Sequence, residues 1–122
     1  MQFKDETVAY EFLHTPLLLR MMVDDFNTLS MKCGIEPMVT RVKEHIEGDS
    51  GVHEQNRAVD IRQEHPPGVL AYDFQQQNEL LVFINEKYRR NDGKPSMICH
   101  RFGQGMLHFH LQIANFTNVY VP

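Results

Sequence analysis

Apolar side chains at Leu18, Met21, Met22, Phe26 and Leu29 recur at three- and four-residue steps, the period of a helix that buries one stripe. Thr15-Pro16 reads as its start, a hydroxyl N-cap followed by proline at the first helical position, and Gly34 after Cys33 as its stop. From Glu36-Pro37 the period changes. The stretch Met38 to Ile46 is rich in β-branched residues and partly alternates, which predicts a strand, and Glu47-Gly48-Asp49-Ser50-Gly51 is a loop by composition. Arg57 to Arg62 alternates cleanly, with Ala58, Asp60 and Arg62 on one face and Val59 and Ile61 on the other. His65-Pro66-Pro67-Gly68 closes that segment. Asp73 caps a second predicted helix that runs to about Arg90, burying Leu80, Leu81, Ile84 and Tyr88 and ending at Asn91-Asp92-Gly93. Ser96 to Phe102 and Met106 to Ala114 predict two strands of a hairpin turning at Gly103-Gln104-Gly105, and Val119-Tyr120-Val121 a short edge strand. The sum is an α+β fold: a small, mostly antiparallel sheet with two main helices on one face.

Composition narrows the picture without changing it. At 122 residues, with no repeat and nothing that reads as a linker, the chain is expected to form one domain over 1–122. Its 42% apolar and 23% charged residues are those of an ordinary globule. Twelve Lys and Arg against sixteen Asp and Glu give a net charge of −4, which argues against a protein built to grip nucleic acid. The longest aliphatic cluster, Leu17 to Met22, is broken by Arg20 and falls far short of the roughly 20 residues that span a bilayer, so no membrane insertion is expected. The start, Met1-Gln2-Phe3-Lys4-Asp5-Glu6, lacks the pattern of a secretion signal, which predicts a chain that is cytoplasmic as synthesised. Cys33 and Cys99 are too few for a disulfide scaffold and are expected to be buried free thiols.

The chemistry concentrates in the histidines. His108 and His110 sit two apart on a predicted strand, so both imidazoles share the face opposite Leu107, Phe109 and Leu111, about 6.6 Å apart along the chain. Such a pair reaches one point in space, or else simply faces solvent. The other half is His53-Glu54-Gln55-Asn56-Arg57-Ala58-Val59-Asp60. In one straight strand His53 and Asp60 would lie about 23 Å apart, and in one helix about 10 Å. Neither lets them share an ion whose ligand atoms sit about 2.0–2.2 Å away, so a bend is required, and Asn56 tolerates the positive φ of one. Nitrogen and oxygen ligands together suit zinc better than magnesium or calcium.

His53-x-x-Asn56-Arg57-Ala58-x-Asp60-Ile61 followed by His108-x-His110 resembles the metal-site pattern of M15-type zinc peptidases. That group holds D-Ala-D-Ala carboxypeptidases and bacteriophage endolysin peptidases, with lysostaphin-type peptidases and the hedgehog signalling domain as wider relations. The order of elements is similar too, from Thr15 to Ile113. The resemblance implies a hedgehog-like fold and one Zn2+ per chain held by His53, Asp60 and His110. It makes His108 the neighbouring catalytic histidine, leaving a fourth metal position open. Spacing alone does not separate that arrangement from four ligands closing the site. Gly51 and Asn56 stand where the family usually has serine and glycine. Thr40-Arg41-Val42-Lys43-Glu44 replaces a Thr-Ser-Gly-Tyr-Arg-like run, so Arg41 or Lys43 is the expected cation for a substrate carboxylate.

The implied activity is hydrolysis of a peptide bond in bacterial peptidoglycan stem or cross-link peptides, as in a phage or prophage lysis enzyme that reaches the cell wall once the membrane is breached. A second expectation keeps the fold and zinc but not catalysis, the domain serving protein binding or assembly. The remaining residues have plain readings. His14, His45 and His65 are expected at the surface, and His100 is expected to be structural, although it can face the same cleft across the hairpin. Arg57 points away from Asp60 by parity, and Arg89-Arg90 is expected to complement a helix dipole.

Overall fold

The computed structural model describes residues 1–43, 57–101 and 103–114 and the backbone of 117–119. It is an α+β fold in which a five-stranded mixed sheet is packed by three helices. In chain order the elements are β1 (Gln2–Phe3), α1 (Glu6–Leu13), α2 (Leu17–Lys32), β2 (Met38–Arg41), β3 (Ala58–Arg62), α3 (Phe74–Lys87), β4 (Tyr88–Arg90), β5 (Met97–Arg101), β6 (Leu107–Gln112) and β7 (Thr117–Val119). The sheet order is β1-β2-β3-β6-β5. Only β1 and β2 run parallel, the connection between them passing through α1 and α2.

The periodic segments form the expected elements, but the buried stripe of α2 is turned: Met22 and Phe26 are in the core, Leu18 and Leu29 are partly buried, and Met21 is 40% exposed. Leu19, Met22, Val23 and Phe26 of α2 are completely buried against the sheet face that carries Val39, Val59, Ile61, Phe109 and Leu111. Phe26, Tyr72 and Phe109 meet edge to face, with ring centroids 5.0 to 5.7 Å apart, an arrangement that adds to simple area burial. Burial pushes the Tyr72 phenol up to about 12, against the opposing pull of the bond its hydroxyl donates to Ser30. Asp73 caps α3 in a reciprocal box with Gln76. Asn85 of α3 accepts from the Ser96 and Met97 amides and donates to the Met97 carbonyl, which ties the start of β5 to the helix layer.

Several expectations are corrected. A third helix, α1, stands ahead of α2, capped by Asp5, whose side chain accepts from the Val8 amide. Its eight residues bury only Val8 and Phe12, too few turns for a clear periodic signal. Thr15 does not cap α2. Its hydroxyl donates to the Phe12 carbonyl and so closes α1, while Pro16 occupies the cap position without a side-chain bond. The helix at Asp73 stops at Lys87, and Tyr88 to Arg90 leave it as β4, which pairs with β7 in a separate two-stranded sheet. Arg90 therefore serves a turn and not a helix dipole, binding Asp92 and the Pro95 carbonyl. The last strand, Thr117–Val119, does not extend the main sheet; Tyr120 and Val121 lie outside the described residues. Cys33 is exposed, and Cys99 is half-buried, its thiol pushed up to about 11 by that burial. The strand predicted at Met38 ends at Arg41, and the loop predicted at Glu47 to Gly51 lies outside the described residues. Among the described residues no helix is long and apolar enough to cross a membrane.

Two side chains anchor the far end of β3, Gln63 to the start of α3 and Glu64 to the hairpin. Gln63, fully buried, donates to the Tyr72 carbonyl and to Gln77 and accepts from the Tyr72 amide. Glu64 accepts from the amides of Leu107 and Gly68 and from Arg101, all at 2.7–2.8 Å. The Leu107 amide first, then the Gly68 amide, and to a lesser degree Arg101 hold its carboxyl below the usual value of 4.5. A depressed folded-state pKa adds stability above the unfolded value that is lost as pH falls through the folded one. Glu64→Gln is therefore expected to lower the urea midpoint at pH 7, with the deficit shrinking as the pH falls from the usual glutamate value through the lowered folded-state one. A deficit that stays constant as the pH falls would show that charge is not what Glu64 supplies.

Candidate functional site

The helices pack one face of the sheet. On the other face β3, β6 and β5 bring chemistry-bearing side chains together through their register. Asp60 stands opposite His110 and Arg62 opposite His108, while β5 sets His100 opposite His108 and Ile98 opposite His110. Strand alternation thus puts Asp60, Arg62, His100, His108 and His110 on one surface, as the pattern of β3 and β6 predicted for four of the five.

Asp60 is the hub, with only 4% of its surface exposed. His110 Nδ1 lies 2.8 Å from Asp60 Oδ1, and His110 Nε2 lies 3.0 Å from Gln112 Oε1. His108 Nε2 lies 3.7 Å from Asp60 Oδ2, and its Nδ1 lies 3.3 Å from the Met106 carbonyl. A proton on Nδ1 would be donated to that carbonyl, the tautomer that leaves Nε2 as the basic nitrogen. Arg41 Nε approaches the same Asp60 Oδ2 at 3.4 Å.

Arg41 reaches Asp60 because of an irregularity in β2. Val39 pairs with Ile61, and a regular antiparallel ladder would then set Arg41 opposite Val59, on the core face. The register slips by one between Val39 and Arg41, so Arg41 faces Asp60 instead. Lys43 is exposed and does not join them. Of the two cations expected to meet a substrate carboxylate, one is turned onto Asp60 and the other stands apart. Arg57 follows its parity and donates to the Ile113 carbonyl.

His100 is the residue that sequence reasoning undervalued. Its ring meets His108 edge to face at 4.5 Å between centroids and His110 at 5.7 Å. Its Nε2 is buried and has no hydrogen-bond partner among the described residues. Burial holds this imidazole below its usual range, and the neighbouring His108 and His110 push in the same direction. The signal was the hairpin itself: eight residues separate His100 from His108, and a turn between residues 101 and 107 places them as direct cross-strand partners.

The donor set suits a zinc ion in its chemistry: one carboxylate with imidazoles on either side of it. Two atoms each about 2.0–2.2 Å from a tetrahedral ion are about 3.3–3.6 Å from one another; Asp60 and His110 stand closer than that, at the 2.8 Å of a hydrogen bond. Among the described residues no three His, Cys, Asp or Glu side chains already converge as a set able to hold an ion. The third expected ligand, His53, lies outside the described residues, as do Gly51, Asn56 with its expected bend, and His45. His14 is at the surface with Nδ1 on the Tyr10 carbonyl, and His65 is exposed.

Beside Asp60 and His108 opens a cleft of about 500 Å3, walled by the start of the chain, β2, the end of β3 and the base of the β5–β6 hairpin. Comparison with known proteins returns no matching family model, no matching curated protein and no matching solved structure.

Proposed function

We propose that this chain is a zinc-dependent peptidase with an M15-like, hedgehog-like fold, and that it hydrolyses a peptide bond in bacterial peptidoglycan, as a phage or prophage lysis enzyme does. The observation that carries the reading is the meeting of Asp60 with His108 and His110 on the helix-free face of the sheet, next to an open cleft. Those are the residues for which the sequence pattern implied a shared centre, and the pairing of β3 with β6 is what unites them. Asp60, His110 and His53 would hold one zinc. When bound, zinc supplies a Lewis acid that polarises a peptide carbonyl and lowers the pKa of water toward about 7.

The chain's own residues supply the rest. His108 offers Nε2 as a proton acceptor on the open side of Asp60, with its tautomer set by the Met106 carbonyl. It takes a proton from the attacking water and returns one to the departing amine. Arg41 holds the Asp60 carboxylate ionised and oriented, a positioning role that leaves the opposite oxygen to His110. The aromatic and aliphatic core beneath β6 fixes the backbone from which both histidines project.

A second reading, a catalytically silent zinc domain used for protein binding or assembly, draws its support from Arg41: the cation expected at the substrate is engaged with Asp60. One experiment separates the two. Metal analysis of the purified chain is expected to show one zinc per molecule, and mass spectrometry of peptidoglycan digested with it is expected to show one new peptide terminus that a chelator suppresses. Stoichiometric zinc with intact peptidoglycan selects the silent domain, and an absence of bound zinc removes both.

A further inference from the structure

The cleft beside Asp60 carries a charge pattern that the peptidase chemistry does not use. Five ionised side chains line it: Lys4, Arg41 and Arg62 against Asp60 and Glu64. Both carboxylates are already matched, Asp60 by Arg41 and Glu64 by Arg101 together with two backbone amides. Lys4 and Arg62 remain. Neither side chain has a hydrogen-bond or ion-pair partner among the described residues, so two cations face one concavity in a chain whose net charge is −4. Arg62 is only partly exposed and shares the sheet face of Asp60, in register with His108; Lys4 follows directly on β1, where its amide bonds to the Val39 carbonyl. The two are 58 positions apart in the sequence and are brought together by the sheet.

Like charges brought to one partly enclosed wall repel each other and concentrate positive potential there, an arrangement that an anion relieves. A guanidinium presents a planar fork matched to a carboxylate, and an ammonium adds a second, adaptable contact. We infer that Lys4 and Arg62 form a subsite for an acidic side chain of a bound peptide, next to Asp60 and His108. That the ligand is a peptide rests on the peptidase reading; the unmatched cation pair does not. Its cations are other than Arg41, which lines the same cleft but engages Asp60, and Lys43.

The test uses two tripeptides, Ala-Glu-Ala and Ala-Gln-Ala, both acetylated at the N-terminus and amidated at the C-terminus so that the side chain is the only difference. Each is titrated into the isotope-labelled full chain with a chelator present to prevent turnover, and binding is followed by amide chemical shifts. The Glu peptide is expected to bind at least about tenfold more tightly than the Gln peptide, with shifts centred on Lys4, Arg62 and Gly105. Arg62→Gln and Lys4→Gln, which keep most of the aliphatic stem, are each expected to remove most of that preference, and added salt to weaken it in the parent chain. Equal binding of the two peptides, or a preference that survives in the double variant, overturns the proposal. A chain without zinc or hydrolysis that still prefers the Glu peptide through Arg62 keeps the subsite and ends the peptidase reading. Hydrolysis of peptidoglycan with no such preference does the reverse.

Discussion

Asp60→Ala is expected to lower folding stability by about 3–5 kcal/mol and to abolish zinc retention. Two separate causes produce the stability loss. The Asp60 side chain is 6% exposed and that of Arg41 11%, so removal of the carboxylate takes a countercharge from a guanidinium largely out of water. His110 loses the acceptor at its Nδ1 as well, since Asp60 Oδ1 lies 2.8 Å away. Asp60→Asn separates charge from shape: it keeps the volume between β2 and β6 and one hydrogen-bonding oxygen, and is expected to fall between the parent and alanine. Urea unfolding at constant slope measures both changes, and metal analysis of the same samples reports zinc. A midpoint for Asp60→Ala that matches the parent would mean that the carboxylate organises nothing around it.

The parts of the fold that were legible in the sequence are those where a single period runs long enough to register. The sixteen residues of α2 bury Met22 and Phe26 of the expected stripe, and β6 buries Phe109 and Leu111, while β3 keeps its expected alternation but is buried on both faces. The shared surface of Asp60, His108 and His110 follows from parity alone once β3 and β6 pair. Two features escaped for physical reasons. The slip in β2 that turns Arg41 onto Asp60 adds one residue to a ladder, and no alternation pattern reveals where it falls. The partner of His100 depends on hairpin length, which the turn residues bounded but the histidine count did not. Tyr88 misled the helix boundary because it is buried in either role: at the end of α3 its hydroxyl donates to Asp25 Oδ2, and Lys87 beside it bonds the same carboxylate.

The roles of the two histidines on β6 are separable by experiment. His108→Ala is expected to keep zinc at one per chain while turnover of peptidoglycan peptides falls by about 10²–10⁴-fold. His110→Ala and His53→Ala are expected to lose the zinc itself. Geometry motivates the split. His110 Nδ1 is in direct contact with Asp60 Oδ1 at 2.8 Å, so the two donors belong to one centre, and Gln112 at 3.0 Å from the second ring nitrogen orients the imidazole in the manner of an outer-shell partner. His108 Nε2 stands further off, at 3.7 Å from Oδ2, and lines the cleft where a peptide would lie. His100 provides the internal control, because it packs against both rings without contacting Asp60 through any hydrogen bond. His100→Gln is expected to leave zinc content near that of the parent. If His108→Ala loses zinc and His110→Ala retains it, the assignments exchange: His108 becomes the ligand, and the short contact between His110 and Asp60 is a structural hydrogen bond that braces β6 against β3.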